Sequence, residues 1–549
     1  MDYVLPFVLS MAVTMALVPL LARLASRLHI VDRPGGRKTH SGEIPRIGGV
    51  AMAIGVLAAM SSFVPTAGRP GLAFVAGAAL LLCFGVADDR YDLDYRLKLF
   101  GQLAAVALPV FGADVWIHTV TLTDRVELPA WLGIGLTIAF LVGVTNAVNL
   151  ADGLDGLAGG TSFLCLSALA WLAHSAGQDG AQLLALAFAG AVLGFLRYNT
   201  HPAVVFMGDA GSQLLGYSIG VLALLATQSA TTVVSASLPI LLLGMPILDT
   251  LQVIVRRVVA GRSPFRPDRG HLHHRLLGLG FEHHEAVAVI YALQAALFLI
   301  AFAERYESDL VVLASYGAVA ATVLGALAFA ERSGWRLRAS KASGAGGAFV
   351  TRLISRAYHS GRLQAVASVS VCGGLIGYAG LAIYEARALP SDFRLAVWVL
   401  GAALLTLLIV RRGRPLLLLD RAVLYTVLAA LAYCDTSVPA GARLVPHADW
   451  VLVLGVAVAT ALALRAGRAR GFGITPLDLI VLFLGLVVPN LPGLGALPMN
   501  AGQGVAKLVV LFYGLEVAVL YSERRTVWVR ASALAAIALL AAEFPMTIG

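Results

Sequence analysis

The sequence predicts an all-α fold, a polytopic bundle of helices that span a membrane. Of the 549 residues, 59% are hydrophobic and only 13% are charged, and the mean hydropathy is +0.84. Apolar runs close to the roughly 20 residues that a spanning helix needs recur between short polar breaks along the whole chain. These observations make the lipid bilayer the first expected partner of the protein.

The apolar runs predict about eleven spans up to residue 330 and about seven more beyond residue 363. The first eleven lie near residues 3–21, 47–65, 71–87, 99–115, 131–147, 160–175, 181–197, 212–228, 234–255, 286–303 and 309–330. Residues 331–363 are basic and rich in Gly and Ser, which indicates a cytoplasmic linker. We therefore expect a first membrane domain at 1–330, the linker, and a second membrane region at 364–549 whose role the sequence leaves open.

Positive charge is distributed unevenly over the loops. No basic residue precedes the first apolar run, whereas Arg23 and Arg27 follow it, so the N-terminus is predicted outside and the first loop in the cytoplasm. The same alternation continues along the chain and explains the net charge of +9 without a nucleic acid partner. Residues 119–129 are predicted to form a short external hairpin. Lys507, at the start of a span in the second region, is either a functional group or a lysine that reaches the membrane interface.

The phrase NAVNLADGLDGLAGG, residues 146–160, lies at a membrane boundary between two apolar runs. Asn149 with Asp152, and Asp152 with Asp155, are i, i+3 neighbours on a helix, and no Lys or Arg lies nearby in the sequence. Uncompensated carboxylates favour a bound cation. The four glycines indicate a broken helix or loop whose backbone is open to a phosphate or nucleotide. An ordinary polar loop with glycine turns is the alternative.

Two further acidic groups lie in other cytoplasmic loops. Asp88 and Asp89 end the third span, and adjacent carboxylates repel unless a metal or cationic partner is present. The alternative for this pair is a solvated loop balanced by nearby arginines. Asp209 lies between glycines just before an apolar helix, where free backbone N–H groups and a carboxylate suit a magnesium-bound diphosphate. No Walker lysine follows, and a simple glycine-rich helix entry is the alternative.

Basic residues and histidines fill the remaining cytoplasmic loops. His271, His273 and His274 lie among four arginines, and many donors with positive charge suit phosphate oxygens. The histidine spacing also permits zinc, and the loop could instead lie on anionic lipid. Lys38 and Arg46 add charge on the same side and could hold a lipid phosphate or simply anchor the loop inside.

The acids in three loops could thus hold Mg²⁺, which is preferred over a softer metal because the candidate ligands are oxygens. The basic loops could hold phosphates. This combination predicts phosphoryl transfer from a nucleotide diphosphate compound to a lipid phosphate. The competing hypothesis is an ion- or proton-coupled transporter, in which carboxylates relay ions. Transporters place such groups near the midplane, often in two repeated halves, whereas here the acids collect at one face and no motif is repeated.

Five phrases, in this order, resemble the polyprenyl-phosphate N-acetylhexosamine-1-phosphate transferases (glycosyltransferase family 4), which include phospho-MurNAc-pentapeptide translocase. The phrases are RKTHSGEIPRIGG, GVADDR with Lys98, NAVNLADGLDGLAGG, FMGDAGS and PDRGHLHH. The resemblance covers about residues 1–330 and implies a multi-pass protein of the bacterial inner membrane with its active site facing the cytoplasm. It also implies Mg²⁺, with Mn²⁺ as a substitute, and transfer from a UDP-N-acetylhexosamine to undecaprenyl phosphate with release of UMP. The PDRGHLHH phrase favours GlcNAc as the sugar, and the chain could also form a homodimer.

The resemblance implies a role for each candidate residue. Asp88, supported by Asp89, would deprotonate the lipid phosphate or act as nucleophile, so that one-step and two-step routes both stay open. Asp209 would bind magnesium, with Asp152 and Asp155 in its surround. The substrate-binding candidates are Asn149 at the nucleotide, Phe206 on uracil, Lys98 at phosphate, His271, His273 and His274 at the diphosphate or sugar, and Lys38 and Arg46 at the lipid phosphate.

Overall fold

The computed structural model describes residues 4–32, 42–63, 68–122, 124–228, 234–261, 270–337, 361–385 and 448–466, with short pieces within 427–435 and 507–515. The chain divides into two compact units. The first comprises Met1–Lys341 with Thr475–Leu479, and the second comprises Ala342–Ile474 with Ile480–Gly549.

The first unit is built almost entirely of α-helices, which confirms the predicted all-α fold. Its helices are α1 (Val4–Leu28), α2 (Gly48–Phe63), α3 (Arg69–Tyr91), α4 (Tyr95–Ala113), α5 (Ala130–Ala151), α6 (Leu157–Ser175), α7 (Asp179–Asn199), α8 (Gly208–Thr227), α9 (Leu238–Leu242), α10 (Gly244–Val259), α11 (Leu272–Gly278), α12 (His283–Ala303) and α13 (Asp309–Arg332). Within the described residues, nine of these helices are long and apolar enough to cross a membrane. They correspond to nine of the eleven predicted spans.

The two other predicted spans take a different form. Predicted span 47–65 is α2, a helix of 16 residues, and predicted span 234–255 is divided into α9 and α10 at Leu243. Pro246 explains the division, because a proline has no N–H to donate to the carbonyl four residues before it. That carbonyl, of Leu242, instead accepts a hydrogen bond of 2.7 Å from Gln294 Nε2 of α12.

Two short antiparallel pairs of strands complete the first unit. β1 (Val31–Asp32) pairs with β2 (Ile44–Pro45) between α1 and α2. β3 (Thr119–Thr121) pairs with β4 (Arg125–Glu127), which confirms a hairpin within residues 119–129.

Helix α8 lies at the centre of the first unit. In the apolar stretch of α8, 94% of the residues are buried, whereas in that of the peripheral α13 only 6% are buried. Helices α2 and α3 each approach the start of α8 closely at a glycine. A Cβ added to Gly49 of α2 would lie 2.2 Å from Gly211 N. A Cβ added to Gly85 of α3 would lie 2.3 Å from Ala210 Cα. Small residues permit such backbone contact between helices in a membrane. The end of α3 is thereby brought to the start of α8.

The second unit contains α14 (Gly361–Glu385) and α15 (Ala448–Ala466), which pack against each other. Lys507 is fully buried in this unit and forms ion pairs with Asp435 and Asp449. It is therefore not a lysine that reaches the membrane interface. The other spans predicted for the second region lie outside the described residues.

Candidate active site

Asp89 caps the helix that carries Asp209. The backbone N–H groups of Asp209 and Ala210 donate to its two carboxylate oxygens at 2.9 Å and 3.1 Å. A carboxylate is favourable at a helix N-terminus because it satisfies free N–H groups and meets the positive end of the helix dipole. Gly208 has a φ of +71°, and a Cβ there would lie 2.3 Å from Asp89 Oδ2. Gly208 is thus required for this close approach.

Asp88, the neighbour of Asp89, is buried and faces a lysine. Lys98 Nζ of α4 lies 2.6 Å from Asp88 Oδ2 and 3.3 Å from Asp209 Oδ2. The N–H of Leu93 donates to Asp88 Oδ1 at 2.8 Å. The tight turn between α3 and α4 returns the chain so that Lys98, in the first turns of α4, meets the last turn of α3. About a third of the Lys98 and Asp209 side chains is exposed, so both are accessible from solvent.

Asn149, near the end of α5, completes the centre of the site. Its Nδ2 donates to Asp209 Oδ1 at 2.7 Å and is 2.8 Å from Ser212 Oγ. Residues from α3, α4, α5 and α8 therefore meet at one end of the bundle. We call Asp88, Lys98, Asn149, Asp152 and Asp209 the acidic site.

Three amide side chains lie next to the acidic site. Gln102 Nε2 donates to Asn146 Oδ1 and to Gln213 Oε1, each at 3.3 Å, and Asn146 Nδ2 donates back to Gln102 Oε1 at 2.8 Å. Such a network fixes the relative positions of the helices that carry it, here α4, α5 and α8. Gln102 and Gln213 were not predicted, although amide side chains within apolar runs were a visible signal.

Asp152 lies directly after α5, in the loop that leads to α6. Desolvation, followed by the negative charges of Asp209 and Asp155, raises the pKa of Asp152 to about 7. Gly156, with a φ of +81°, reverses the chain at the end of this loop, and its N–H donates to Asn199 Oδ1 at 2.9 Å. The loop is therefore held at its second end, and the carboxylate of Asp152 lies within electrostatic range of Asp209.

Asp155, predicted with Asp152, has different neighbours. Its Oδ2 accepts a hydrogen bond from Ala203 N at 3.0 Å and lies 2.8 Å from His201 Nδ1, both in the loop between α7 and α8. The side chain of Asp155 thus contacts the α7–α8 loop, a contact that was not predicted from the sequence.

The three predicted histidines lie at the start of α11. His271 Nδ1 is 3.0 Å from Asp249 Oδ2 of α10, and Asp249 Oδ1 accepts from Leu272 N at 2.6 Å. The ring of His273 packs on the α5–α6 loop, because a Cβ on Gly153 would lie 2.6 Å from its Cε1. The ring of His274, half exposed, lies 4.2 Å from that of His273. Asp249 was not predicted, although an acid within a predicted span is a signal of function.

The ring of His273 is uncharged in the folded protein at neutral pH. Desolvation and the neighbouring His274 lower the pKa of His273 to about 4. At neutral pH its ring is uncharged and can act only through hydrogen bonds or packing. Arg275 of the same helix forms a two-pronged contact with Glu331 of α13, at 2.7 Å and 2.9 Å, which fixes α11 in place.

Phe206 and Arg46 lie on neighbouring strand-like segments beside the acidic site. Phe206 N donates to Pro45 O at 2.8 Å, and Gly48 N donates to Phe206 O at 3.0 Å. The Arg46 guanidinium forms an ion pair with Asp32. Lys38 lies outside the described residues.

Comparison with known proteins gives the first unit a family. Residues 72–227 match the sequence model of a family described as Glycosyl transferase family 4. The chain is 41% identical, over 291 residues, to the "Probable undecaprenyl-phosphate N-acetylglucosaminyl 1-phosphate transferase" of Bacillus subtilis (strain 168), covering 52% of this chain and 81% of that protein.

Two other relatives also cover about half of the chain. One is the "Decaprenyl-phosphate N-acetylglucosaminephosphotransferase" of Mycolicibacterium smegmatis, 38% identical over 49% of this chain and 73% of that protein. Another is the "Undecaprenyl-phosphate alpha-N-acetylglucosaminyl 1-phosphate transferase" of Escherichia coli (strain K12), 30% identical over 52% of this chain and 79% of that protein. With this coverage, the chain belongs to glycosyl transferase family 4, the family of membrane polyprenyl-phosphate N-acetylhexosamine-1-phosphate transferases.

Proposed function

We propose that the chain transfers GlcNAc-1-phosphate, or a closely related N-acetylhexosamine-1-phosphate, from its UDP-sugar to undecaprenyl phosphate and releases UMP. The observation that carries this proposal is the meeting of Asp88, Lys98, Asn149 and Asp209 from four helices at one end of a membrane bundle. The names of the relatives supply the class of donor and acceptor. None of the three relatives described above is named as a transporter.

The acidic site fits a divalent cation. It combines the carboxylates of Asp88, Asp152 and Asp209 with the single ammonium of Lys98, which leaves two negative charges in excess when all are ionised (three minus one). Its donors are carboxylate and amide oxygens, the ligands that Mg²⁺ prefers. We propose Asp209 and Asp152 as the Mg²⁺ ligands, with Mn²⁺ as a substitute. Bound there, the cation would neutralise the diphosphate and make the nucleotide monophosphate a better leaving group.

In the proposed reaction, an oxygen of the lipid phosphate attacks the phosphorus that bears the sugar. The bond from this phosphorus to the bridging oxygen breaks, and UMP leaves with that oxygen. Asp88 would remove a proton from the lipid phosphate. Alternatively, Asp88 would attack this phosphorus first, release UMP and carry the sugar-1-phosphate as an acyl phosphate, from which the lipid phosphate would then take the sugar-1-phosphate and free the carboxylate. Lys98, which contacts Asp88 and Asp209, would stabilise the negative charge of the transferred phosphate. Asp89 would act indirectly, because its carboxylate is engaged in holding the start of α8.

The remaining candidates surround this centre and supply the proposed substrate contacts. Phe206 would stack on uracil, and Asn149 would stand beside the nucleotide. His271, His273 and His274 would contact the diphosphate or sugar, with His273 acting as a neutral hydrogen-bonding group. Lys38 and Arg46 would bind the lipid phosphate.

We propose that the acidic site faces the cytoplasm of the bacterial inner membrane, because basic residues flank this end of the spans. The first unit would be the catalytic domain. Residues 331–363 would be a linker, and residues 364–549 would be a second domain with a separate role.

A direct assay tests the proposal. The purified full-length chain would be incubated with UDP-[³H]GlcNAc, undecaprenyl phosphate and Mg²⁺, and lipid-extractable radioactivity would be measured beside UMP release. Both products should appear in equal amounts and disappear with EDTA. A panel of UDP-sugars, compared by kcat/KM, identifies the donor. Absence of lipid-linked product with every UDP-N-acetylhexosamine would overturn the proposal.

A further inference from the structure

We propose that Asp155, His201 and His283 form a second metal site, which binds a transition-metal ion of the Zn²⁺ type and is distinct from the acidic site. Each residue offers one ligand atom, a carboxylate oxygen or a ring nitrogen, and the three atoms lie within 4.8 Å of one another. They come from three separate segments: the α5–α6 loop, the α7–α8 loop and the first residue of α12. This inference does not depend on the proposed transferase activity.

The three side chains already form one contact group. His201 Nδ1 lies 2.8 Å from Asp155 Oδ2, and His283 Nε2 lies 3.2 Å from the backbone carbonyl oxygen of Asp155. The two imidazole rings are stacked, with centroids 4.2 Å apart. Ala203 N donates to the same carboxylate at 3.0 Å, and such outer hydrogen bonds orient the ligands of metal sites.

Metal binding requires only a local rearrangement. Bonds of about 2.0–2.2 Å in tetrahedral geometry place ligand atoms roughly 3.3 Å apart. The ion would replace the hydrogen bond between His201 and Asp155. The third ligand, a ring nitrogen of His283, would move toward the other two ligand atoms by about 1 Å or a little more. Half of the His201 side chain is exposed, which gives an ion a path from solvent and leaves room for a water ligand.

Ligand chemistry separates the two sites. Imidazole nitrogens with one carboxylate suit Zn²⁺, Co²⁺ and Ni²⁺, whereas the oxygen donors of the acidic site suit Mg²⁺. The protein would therefore hold the two classes of ion at different places. Asp155 would belong to the nitrogen-rich site, in agreement with its contacts to His201 and Ala203.

The second metal site lies between loops that lead to the acidic site, so a bound ion could stabilise their positions. Asp155 is three residues from Asp152 in one loop, and His201 lies in the loop that leads to Asp209. An ion bound to both loops and to α12 would restrict the motion of two segments that carry acidic-site carboxylates. We expect the ion to act as a clamp that positions these loops and not as part of the reaction.

Cobalt spectroscopy tests the site directly. The full-length protein in detergent, kept in excess Mg²⁺, would be titrated with Co²⁺, whose visible absorption intensifies in a four-coordinate site, and Zn²⁺ would then be added as competitor. We expect one strongly absorbing Co²⁺ per chain, displaced by Zn²⁺. His201→Asn and His283→Asn should each weaken the binding at least about tenfold.

Matched variants exclude other sites. His284→Asn changes the half-exposed residue next to His283, His273→Asn tests the α11 histidines, and Asp209→Asn tests the acidic site. All three should retain the cobalt spectrum. Loss of binding in any of them, or unchanged binding in His201→Asn and His283→Asn, would overturn the proposal.

Thermal unfolding separates a lost ligand from a misfolded variant. Zn²⁺ should raise the unfolding temperature of the wild-type protein, since a ligand that binds only the folded state stabilises it. His201→Asn should unfold near the wild-type temperature without Zn²⁺ and should lose the rise on its addition. A rise of equal size in both proteins would exclude this site.

Discussion

Asp89 accepts hydrogen bonds from the N–H groups of Asp209 and Ala210, so the carboxylate that ends α3 holds the first turn of α8. Asp88, its neighbour in sequence, instead contacts Lys98. Two adjacent acids therefore have different environments, and the difference predicts different consequences for their substitution.

Asp89→Asn should reduce stability. An amide offers only one acceptor oxygen and places its NH₂ group against an N–H donor, so one buried N–H loses its partner. Such a loss costs about 1–3 kcal/mol. We expect a lower thermal unfolding temperature in detergent, together with reduced transfer activity because Asp209 is displaced. An unfolding temperature equal to that of the wild type would argue against the capping role.

Asp88→Asn should abolish transfer without unfolding the protein. The substitution removes the carboxylate that we propose as base or nucleophile and keeps its shape, so kcat should fall at least about 100-fold. Steady-state transfer to undecaprenyl phosphate measures this fall, and the unfolding temperature provides the control. If the route has two steps, the wild-type chain incubated with UDP-GlcNAc without lipid would release UMP and carry GlcNAc-1-phosphate bonded to Asp88. Substantial turnover by Asp88→Asn would remove Asp88 from both routes.

The positions of the spans along the chain could be predicted because a spanning helix needs about 20 consecutive apolar residues. The expectation that Asp88, Asp152 and Asp209 lie on one side of the membrane came from the alternating charge of the loops. Once the loops share a side, a cluster of acids at that side is the natural expectation. The contact of Lys98 with both Asp88 and Asp209 agrees with it.

Side-chain partners were not predictable in the same way. The pairing of Asp155 with His201 depends on the path of two loops separated by 46 positions, which no local pattern encodes. The division between α9 and α10 depends on Pro246 and on Gln294, a residue of another helix that satisfies the freed carbonyl. The charge state of His273 depends on its burial against Gly153, which follows from tertiary packing alone.

Gly49→Ala should destabilise the protein strongly. A methyl group at Gly49 would lie 2.2 Å from Gly211 N, so α2 and α8 would have to separate. Forcing extra volume into a packed interface costs about 3 kcal/mol. Gly143→Ala is the matched control, because a Cβ at that helical glycine meets nothing within 4 Å. We expect thermal unfolding to show a large decrease for the first variant and no decrease for the second, and equal behaviour of the two would contradict the close contact.

His273 should make the protein less stable in mild acid. Its pKa of about 4 in the folded protein lies below the ordinary histidine value of 6.5, so between these values the unfolded chain binds a proton that the folded protein does not. The neutral ring of His273 therefore contributes fully to the free energy of unfolding above pH 6.5, and this contribution is lost as the pH falls toward 4. Between pH 7.5 and pH 5 the loss amounts to about 2 kcal/mol.

The comparison with His273→Gln isolates this effect from other acid-sensitive groups. Unfolding temperatures in detergent would be measured at pH 7.5 and at pH 5 for both proteins, and the wild type should lose more stability than the variant. His284→Gln, a change at a half-exposed histidine nearby, is the control and should follow the wild type. If His273→Gln lost as much stability as the wild type, the histidine would be charged in the folded protein. It could then meet the diphosphate as a cation.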